Sequence, residues 1–316
     1  MTLQELVDEI GRQPIWQADG RRAPHKPLTL LYALGQAMRG NRLVRYADAE
    51  EDLRRLLDRF GSPRAQQHPK QPVWRLRAYQ GTPTRFWDIV GDTNGIEGAK
   101  GNPSSPLMRA RIAFGLSESA WAALSVDAAS ARALAQLLAT EIVPRSLQPA
   151  LLEAVGVDGS VDDSLDHNPD AIDPAVLALV SRRRVETTRT QRDPAFSRKV
   201  LAAYGRACAI CAISPRLGTE HFGLEAAHIR WVRYDGPDVT PNGLCLCKMH
   251  HEALDWGAFK IDHSMKVCVS SRLDRSPESE AMFGRFEGKE IRLPKSEDSR
   301  PSEEMLKWHW AEVFKP

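Results

Sequence analysis

Apolar positions recur at helical spacing through most of the first 150 residues. Leu3, Val7 and Ile10 fall on one face of a short helix over residues 3–11. Residues 28–38 are apolar on nearly every face, which predicts a buried helix stopped by Gly40, and Pro24-His25-Lys26-Pro27 before it predicts a rigid turn. Leu53, Leu56, Leu57 and Phe60 mark a helix over residues 49–60. Between residues 72 and 79 the pattern changes to strict alternation, Val73, Arg75 and Arg77 against Trp74, Leu76 and Ala78. That predicts a strand, with residues 86–90 as its partner. Residues 91–106 hold four glycines and two prolines and predict a loop. A single long Ala/Leu helix is expected over 117–138, with residues 143–155 closing the domain.

The pattern then lapses. Residues 156–174 carry little apolar content, and residues 151–173 hold seven acids with no Lys or Arg, the composition of an exposed linker. Helices are expected again over 175–184 and 193–205. In the second, Asp193-Pro194 supplies a cap and a first-turn proline ahead of the stripe Phe196, Val200, Leu201 and Tyr204. The organisation expected is therefore a mostly helical domain with a small sheet at 1–155, a linker at 156–174 and a second domain at 175–316. The class is α+β.

Charge adds little to this picture. The net charge is +2, with 20 Lys/Arg against 15 Asp/Glu in residues 1–150, a mild basic bias compatible with a polyanionic partner. No run of eighteen apolar residues occurs, and the amphipathic start is not that of a signal peptide, so a cytoplasmic, non-membrane protein is expected.

Cysteine changes the picture most. All five cysteines lie after residue 207, and an odd count with a CxxC pair favours metal over disulfides. Cys208-Ala-Ile-Cys211 and Cys247-Lys-Met-His250 are two knuckles of equal spacing. Zinc takes four tetrahedral thiolate or imidazole ligands, so these four predict one structural Cys3His site. Cys245 is the alternative third thiolate, set aside on the expectation that it faces away from Cys247, and Cys268 is expected in the core of a later strand.

Ala227-His228-Ile229, Asn242 and His251, wrapped around these knuckles, resemble the HNH (ββα-metal) nuclease family. The resemblance implies that His228, at the end of the first strand, is the general base that activates water against a scissile phosphodiester. Asn242 would brace the loop and orient His228. His251, at the start of the helix, would ligate a catalytic Mg2+ or Mn2+ that stabilises the phosphorane and the leaving oxygen. Many members carry an acid immediately before the base histidine, and here Ala227 stands there. Either Glu225, Asp235 or Asp238 substitutes, or His251, Asn242 and the phosphate hold the metal alone. The second option is favoured because Ala-His-Ile, with Asp255-Trp256-Gly257, also resembles the McrA-like branch of HNH restriction enzymes. Asp255 is read as a helix-end or supporting residue.

The N-terminal stretch Arg21-Arg22-Ala23-Pro24-His25-Lys26-Pro27-Leu28, with Gln71-Pro72-Val73-Trp74-Arg75-Leu76 and the loop at 98–106, resembles the sulfur-binding domain of phosphorothioate-dependent restriction endonucleases. A phosphorothioate keeps its charge but shows a large, weakly hydrated sulfur, which calls for apolar walls beside cationic donors. Pro24, Pro27 and Pro72 would line the sulfur. His25, Lys26 and Arg75 would hold the phosphate, with Arg22, Gln71 and Arg109 completing the contacts. The family's aromatic-proline pair is Gln71-Pro72 here, and His68-Pro69 is a competing alignment. The resemblance implies an endonuclease that reads phosphorothioated double-stranded DNA and cuts near the mark as a homodimer, joined through elements after residue 260 such as the Trp308/Trp310 helix. Two alternatives stand beside it. One is a reader of methylated or hydroxymethylated cytosine, caging the base with Trp16, Trp74 and Trp87. The other is a catalytically inactive DNA-binding protein.

Overall fold

The apolar stripes become helices in a computed structural model of the chain, which describes residues 1–12, 17–18, 21–22, 24–63, 73, 76–79, 82–92, 111–157, 176 and 194–316. Two compact units result, Met1–Arg184 and Val185–Pro316. The expected linker falls almost entirely outside the described residues, as does the helix expected at 175–184 apart from Val176.

In the first unit, α1 (Leu3–Arg12), α2 (His25–Met38) and α3 (Tyr46–Phe60) follow the predicted stripes. Leu28, Leu31 and Leu34 of α2 are fully or almost fully buried. The turn expected at Pro24–Pro27 is instead the start of α2. Leu28 N–H donates to Pro24 O at 2.9 Å, and a proline at the third helical position costs nothing because first-turn amides have no intrahelical partner. Two short antiparallel hairpins are present, β1 (Gln17–Ala18) with β2 (Arg21–Arg22), and β4 (Ala78–Tyr79) with β5 (Thr82–Pro83).

The main sheet has the order β3 (Leu43–Arg45), β7 (Ile112–Leu116), β6 (Trp87–Gly91), all antiparallel. The expected pairing of residues 86–90 with 72–79 is therefore wrong. Residues 87–91 pair with 112–116, and β4 pairs locally with β5. The single helix expected over 117–138 is two, α4 (Glu118–Ser125) and α5 (Ala128–Ile142). Asp127 breaks it: its carboxylate accepts from Ala129 N at 3.0 Å and Ser130 N at 3.1 Å, a cap that contributes about 1 kcal/mol. The short helix α6 (Gln148–Ala154) closes the layer.

The second unit is built on β10 (Leu224–His228) and β11 (Gly243–Cys247), antiparallel, followed by α8 (Lys248–Asp255). Helix α7 (Pro194–Ala203) buries Phe196 and Val200 in the same core as Leu244, Leu246 and Leu254. A small hairpin, β8 (Arg216–Leu217) with β9 (Glu220–His221), precedes this ββα unit. A second antiparallel pair, β12 (Phe259–Ile261) with β13 (Val267–Val269), and helices α9 (Pro277–Met282) and α10 (Glu303–Glu312) follow it. Cys268 is half-buried on β13, near Asp262, rather than in the core.

Helix α10 packs its tryptophans partly against the rest of the unit. Trp310 Nε1–H donates to Ile261 O at 2.6 Å, and His309 Nε2 lies 3.0 Å from Leu254 O. Trp308 packs against Trp231 and Tyr234, each with ring centroids 5.8 Å away. Trp308 and Trp310, expected at a dimer interface, are half-buried by these contacts within the chain.

Candidate functional site

The knuckles close on one another. The ligand atoms of Cys208, Cys211, Cys247 and His250 all lie within 4.8 Å of one another. Cys211 Sγ to Cys247 Sγ is 4.0 Å, Cys208 Sγ to His250 Nδ1 is 3.7 Å and Cys247 Sγ to His250 Nδ1 is 3.1 Å. A tetrahedron with zinc bonds of about 2.3 Å to sulfur and about 2.0 Å to nitrogen has edges of roughly 3.5–3.8 Å. The four groups fit zinc. His250 Nε2 lies 3.0 Å from Met282 O, so its proton belongs on Nε2 and Nδ1 faces the thiolates with a lone pair.

The four groups are strongly coupled electrostatically. Hydrogen bonds from Cys211, Cys247 and His250 hold the Cys208 thiol far below its ordinary range. Burial works to lower the His250 pKa, but the Cys208 and Cys247 sulfurs more than offset it and push it up to about 9. Strand alternation does not separate Cys245 from Cys247, because residues two apart share a face. Cys245 stays out of the cluster as a buried core thiol, pushed up to about 12 by burial and by the charge of Cys208. Among the described residues, no second group of three His, Cys, Asp or Glu side chains converges at metal distance.

His228 ends β10 opposite Gly243. Its Nε2 is 2.7 Å from Asp238 Oδ1, and its ring stacks on Phe196 at 4.2 Å between centroids and 16° between planes. Gly243 makes that stack possible. A Cβ there would stand 2.4 Å from Val200 Cγ2 and 3.1 Å from Phe196 Cζ. Burial lowers the His228 pKa below the usual imidazole value despite the raising effect of Asp238, so the ring is neutral at pH 7 and able to accept a proton.

Asn242 is fully buried and entirely engaged by backbone. Its Oδ1 accepts from Arg230 N at 2.8 Å, and its Nδ2 donates to Arg230 O and Pro237 O, each at 3.0 Å. This ties the two ends of the loop that carries Asp238. It also corrects the favoured ligand set: a buried amide used in this way is not available to a metal alongside His251.

His251 sits between two carboxylates, with Nδ1 at 2.7 Å from Glu225 Oε2 and Nε2 at 3.6 Å from Asp255 Oδ2. Burial acts to lower its pKa, but Glu225 and Asp255 outweigh that and raise it. Asp255 is itself fixed, accepting from Trp231 Nε1 at 3.1 Å. Ala227 is fully buried in the core, so an acid at that position would be a buried charge. Glu225 lies on the same strand face two residues earlier and reaches His251 from there. Asp235 instead faces Arg230 at 3.8 Å. An imidazole with a carboxylate is a mixed nitrogen and oxygen donor set of the kind that holds a divalent metal ion.

The reader residues are less completely placed. Pro24 and Pro27 are buried, while His25 and Lys26 are half-buried in the first turn of α2. Gln71, Pro72, Arg75, Arg109 and the side chain of Arg22 lie outside the described residues, as do Trp16, Trp74 and the alternative His68-Pro69. Trp87 is a core residue: it is 3% exposed, donates from Nε1 to Val73 O at 2.9 Å and stacks on Phe114. It cannot also be a wall of an open base cage. Among the described residues, no helix is long and apolar enough to cross a membrane.

Sequence reasoning missed the direct Asp238–His228 contact and the Phe196 stack. The one signal for the stack was Gly243 inside a strand, which marks a close approach.

No curated protein matches the chain. Among solved structures, it is similar to a modification-dependent TagI restriction endonuclease, with 24% identity, TM-score 0.28 and 37% of each chain covered. The match thus spans little more than a third of that enzyme. It is also similar to the sulfur-binding domain of SprMcrA complexed with phosphorothioated DNA, with 23% identity, TM-score 0.39, and 49% of this chain and 93% of that one covered. A model of the ScoMcrA-like DNA sulfur-binding domain matches residues 3–160, half of the chain, and a model of the HNH endonuclease matches residues 208–262. The chain belongs to the ScoMcrA-like DNA sulfur-binding domain family and joins that domain to an HNH nuclease domain.

Proposed function

We propose that the protein is a modification-dependent restriction endonuclease, which docks on phosphorothioated double-stranded DNA through residues 1–155 and hydrolyses phosphodiester bonds near the mark. The observation that carries this reading is the presence of a sulfur-binding domain and an HNH domain on one chain. The remaining parts are a structural zinc on Cys208, Cys211, Cys247 and His250, a homodimer to sever both strands, and a place in the cytoplasm.

In this mechanism His228 accepts the proton of the attacking water. Asp238 and Phe196 hold its ring, and burial keeps it neutral beforehand. Asn242 keeps the Asp238 loop in register with β10. His251 and Glu225 would hold a divalent cation, Mg2+ or Mn2+, which supplies Lewis-acid stabilisation of charge on the phosphate and the leaving oxygen. Asp255 and Trp231 fix the far side of the His251 ring. In the reader, His25 and Lys26 present an imidazole and an ammonium group at a helix N-terminus, a favourable place for a phosphate. Pro24, Pro27, Pro72, Arg22, Gln71, Arg75 and Arg109 complete the proposed pocket.

The test is to incubate the full chain with phosphorothioated and plain plasmids of the same sequence in Mg2+ or Mn2+. Cutting confined to the modified plasmid is expected. Equal cutting or equal binding of the two would remove the sulfur-reading half, and loss of cutting without loss of binding in His228→Ala is the expected signature of the base.

A further inference from the structure

The β8–β9 hairpin carries exposed apolar side chains at its tip and base. Leu217 is 80% exposed, and Phe222 at the hairpin's base is 58% exposed. Met249, at the start of α8, is 50% exposed. These side chains are brought to one region by the backbone, since Phe222 N–H donates to Pro215 O and Lys248 N–H to Gly223 O. The hairpin springs directly from the zinc knuckle, where Cys208 N–H donates to Ile213 O, so the cluster that holds the fold also anchors the arm.

Exposed cations stand on the hairpin and near its base. Arg216 and Lys248 are both exposed, and neither makes an ion pair among the described residues, while Glu220 is the acid of the hairpin. Lys248 stands one helical turn before His251 on α8. Whatever the arm touches therefore lies beside the candidate active site. An exposed apolar side chain on the same arm as exposed cations suits duplex DNA, where phosphates meet the cations and the apolar side chain enters the groove. Two copies meeting through this face would bring the same cations together.

We infer that the Arg216–His221 hairpin is a DNA-engaging arm, with Leu217 as a groove wedge and Arg216 and Lys248 as phosphate contacts. This rests on the nuclease reading above and adds to it the element that seats the duplex at the site. All three residues are exposed, so their variants should melt like the parent chain.

The test measures duplex affinity of the full chain against salt without divalent metal, and then cutting rate with Mg2+ or Mn2+. Leu217→Ala is expected to weaken binding and slow cutting about tenfold with the salt slope unchanged, and Leu217→Met to restore both. Arg216→Ala should reduce the slope of log affinity on log salt by about one. The inference is overturned if both alanine variants bind and cut like the parent, or if Leu217→Ala turns a dimer into a monomer. A parent chain that binds DNA but cuts nothing defeats the nuclease reading, and the binding series still judges the arm. A parent that binds no duplex defeats both.

Discussion

Gly243→Ala tests the packing that orients His228. An ideal Cβ at Gly243 stands 2.4 Å from Val200 Cγ2, and 3.1 and 3.2 Å from two ring carbons of Phe196. Carbon atoms rest at about 3.5–4.0 Å, so the Val200 methyl must retreat by roughly 1 Å or more. Val200 is fully buried and Phe196 nearly so, which leaves them little room. The φ of Gly243 is −122°, ordinary for alanine, so backbone strain plays no part. Overpacking of this kind costs about 1–3 kcal/mol, and the lower chain entropy of alanine in the unfolded state returns about 0.4–1 kcal/mol. The net loss of about 1–2 kcal/mol should lower the melting temperature of the second unit by roughly 3–10 °C in calorimetry with zinc present. Displacing Phe196 also loosens His228, so cutting should fall with stability. Val200→Ala provides the control: alone it opens a cavity, but combined with Gly243→Ala the new methyl fills it. The double variant should be more stable than the sum of the single losses by about 1–2 kcal/mol. Additive losses, or a Gly243→Ala chain that melts with the parent, would refute the argument.

Three further predictions follow from the same unit. Asn242→Ala strips three backbone groups of a buried partner and should cost about 2–4 kcal/mol in thermal or denaturant unfolding; a loss under about 0.5 kcal/mol would show that the brace is dispensable. One zinc per chain is expected by elemental analysis, retained in Cys245→Ser and lost in Cys208→Ser, with chelation lowering the melting temperature of the second unit; zinc lost from Cys245→Ser would make Cys245 a ligand and refute the assignment. The His228 pKa is lowered by burial, so it is the neutral form that persists as pH falls below 6.5, and the cutting rate should decline only as pH passes through the lowered value. Asp238 raises that pKa, so Asp238→Asn should move the acid limb of the rate profile to still lower pH while reducing the maximum rate; a limb that moves upward contradicts the proposed contact.

Much of this was legible in the sequence because the information was local. The stripes of α2 and α3 and the order Cys208, Cys211, His228, Asn242, Cys247, His250 depend on spacing along one short segment. The partner of β6 was not legible. It lies more than twenty residues away in Ile112–Leu116, an apolar run without alternation that leads straight into a capped helix. The break at Asp127 was hidden inside an alanine-rich pattern, where a single capping carboxylate outweighs propensity on both sides. From the sequence, Asp238 and Glu225 read only as alternative metal ligands. Their pairing with His228 and His251 is set by how a loop folds back and how a helix docks, which no periodicity encodes.

His250 and His251 are neighbours on α8, and about 100° of helical rotation separates their side chains. One turns to the thiolates, and the other to Glu225. A one-residue insertion or deletion in the first turn of α8 would rotate both off their targets together. Substitution can alter either site alone, but a change in length cannot, so descent should have held the interval from Cys247 to Asp255 rigid in length while the loops around it drifted.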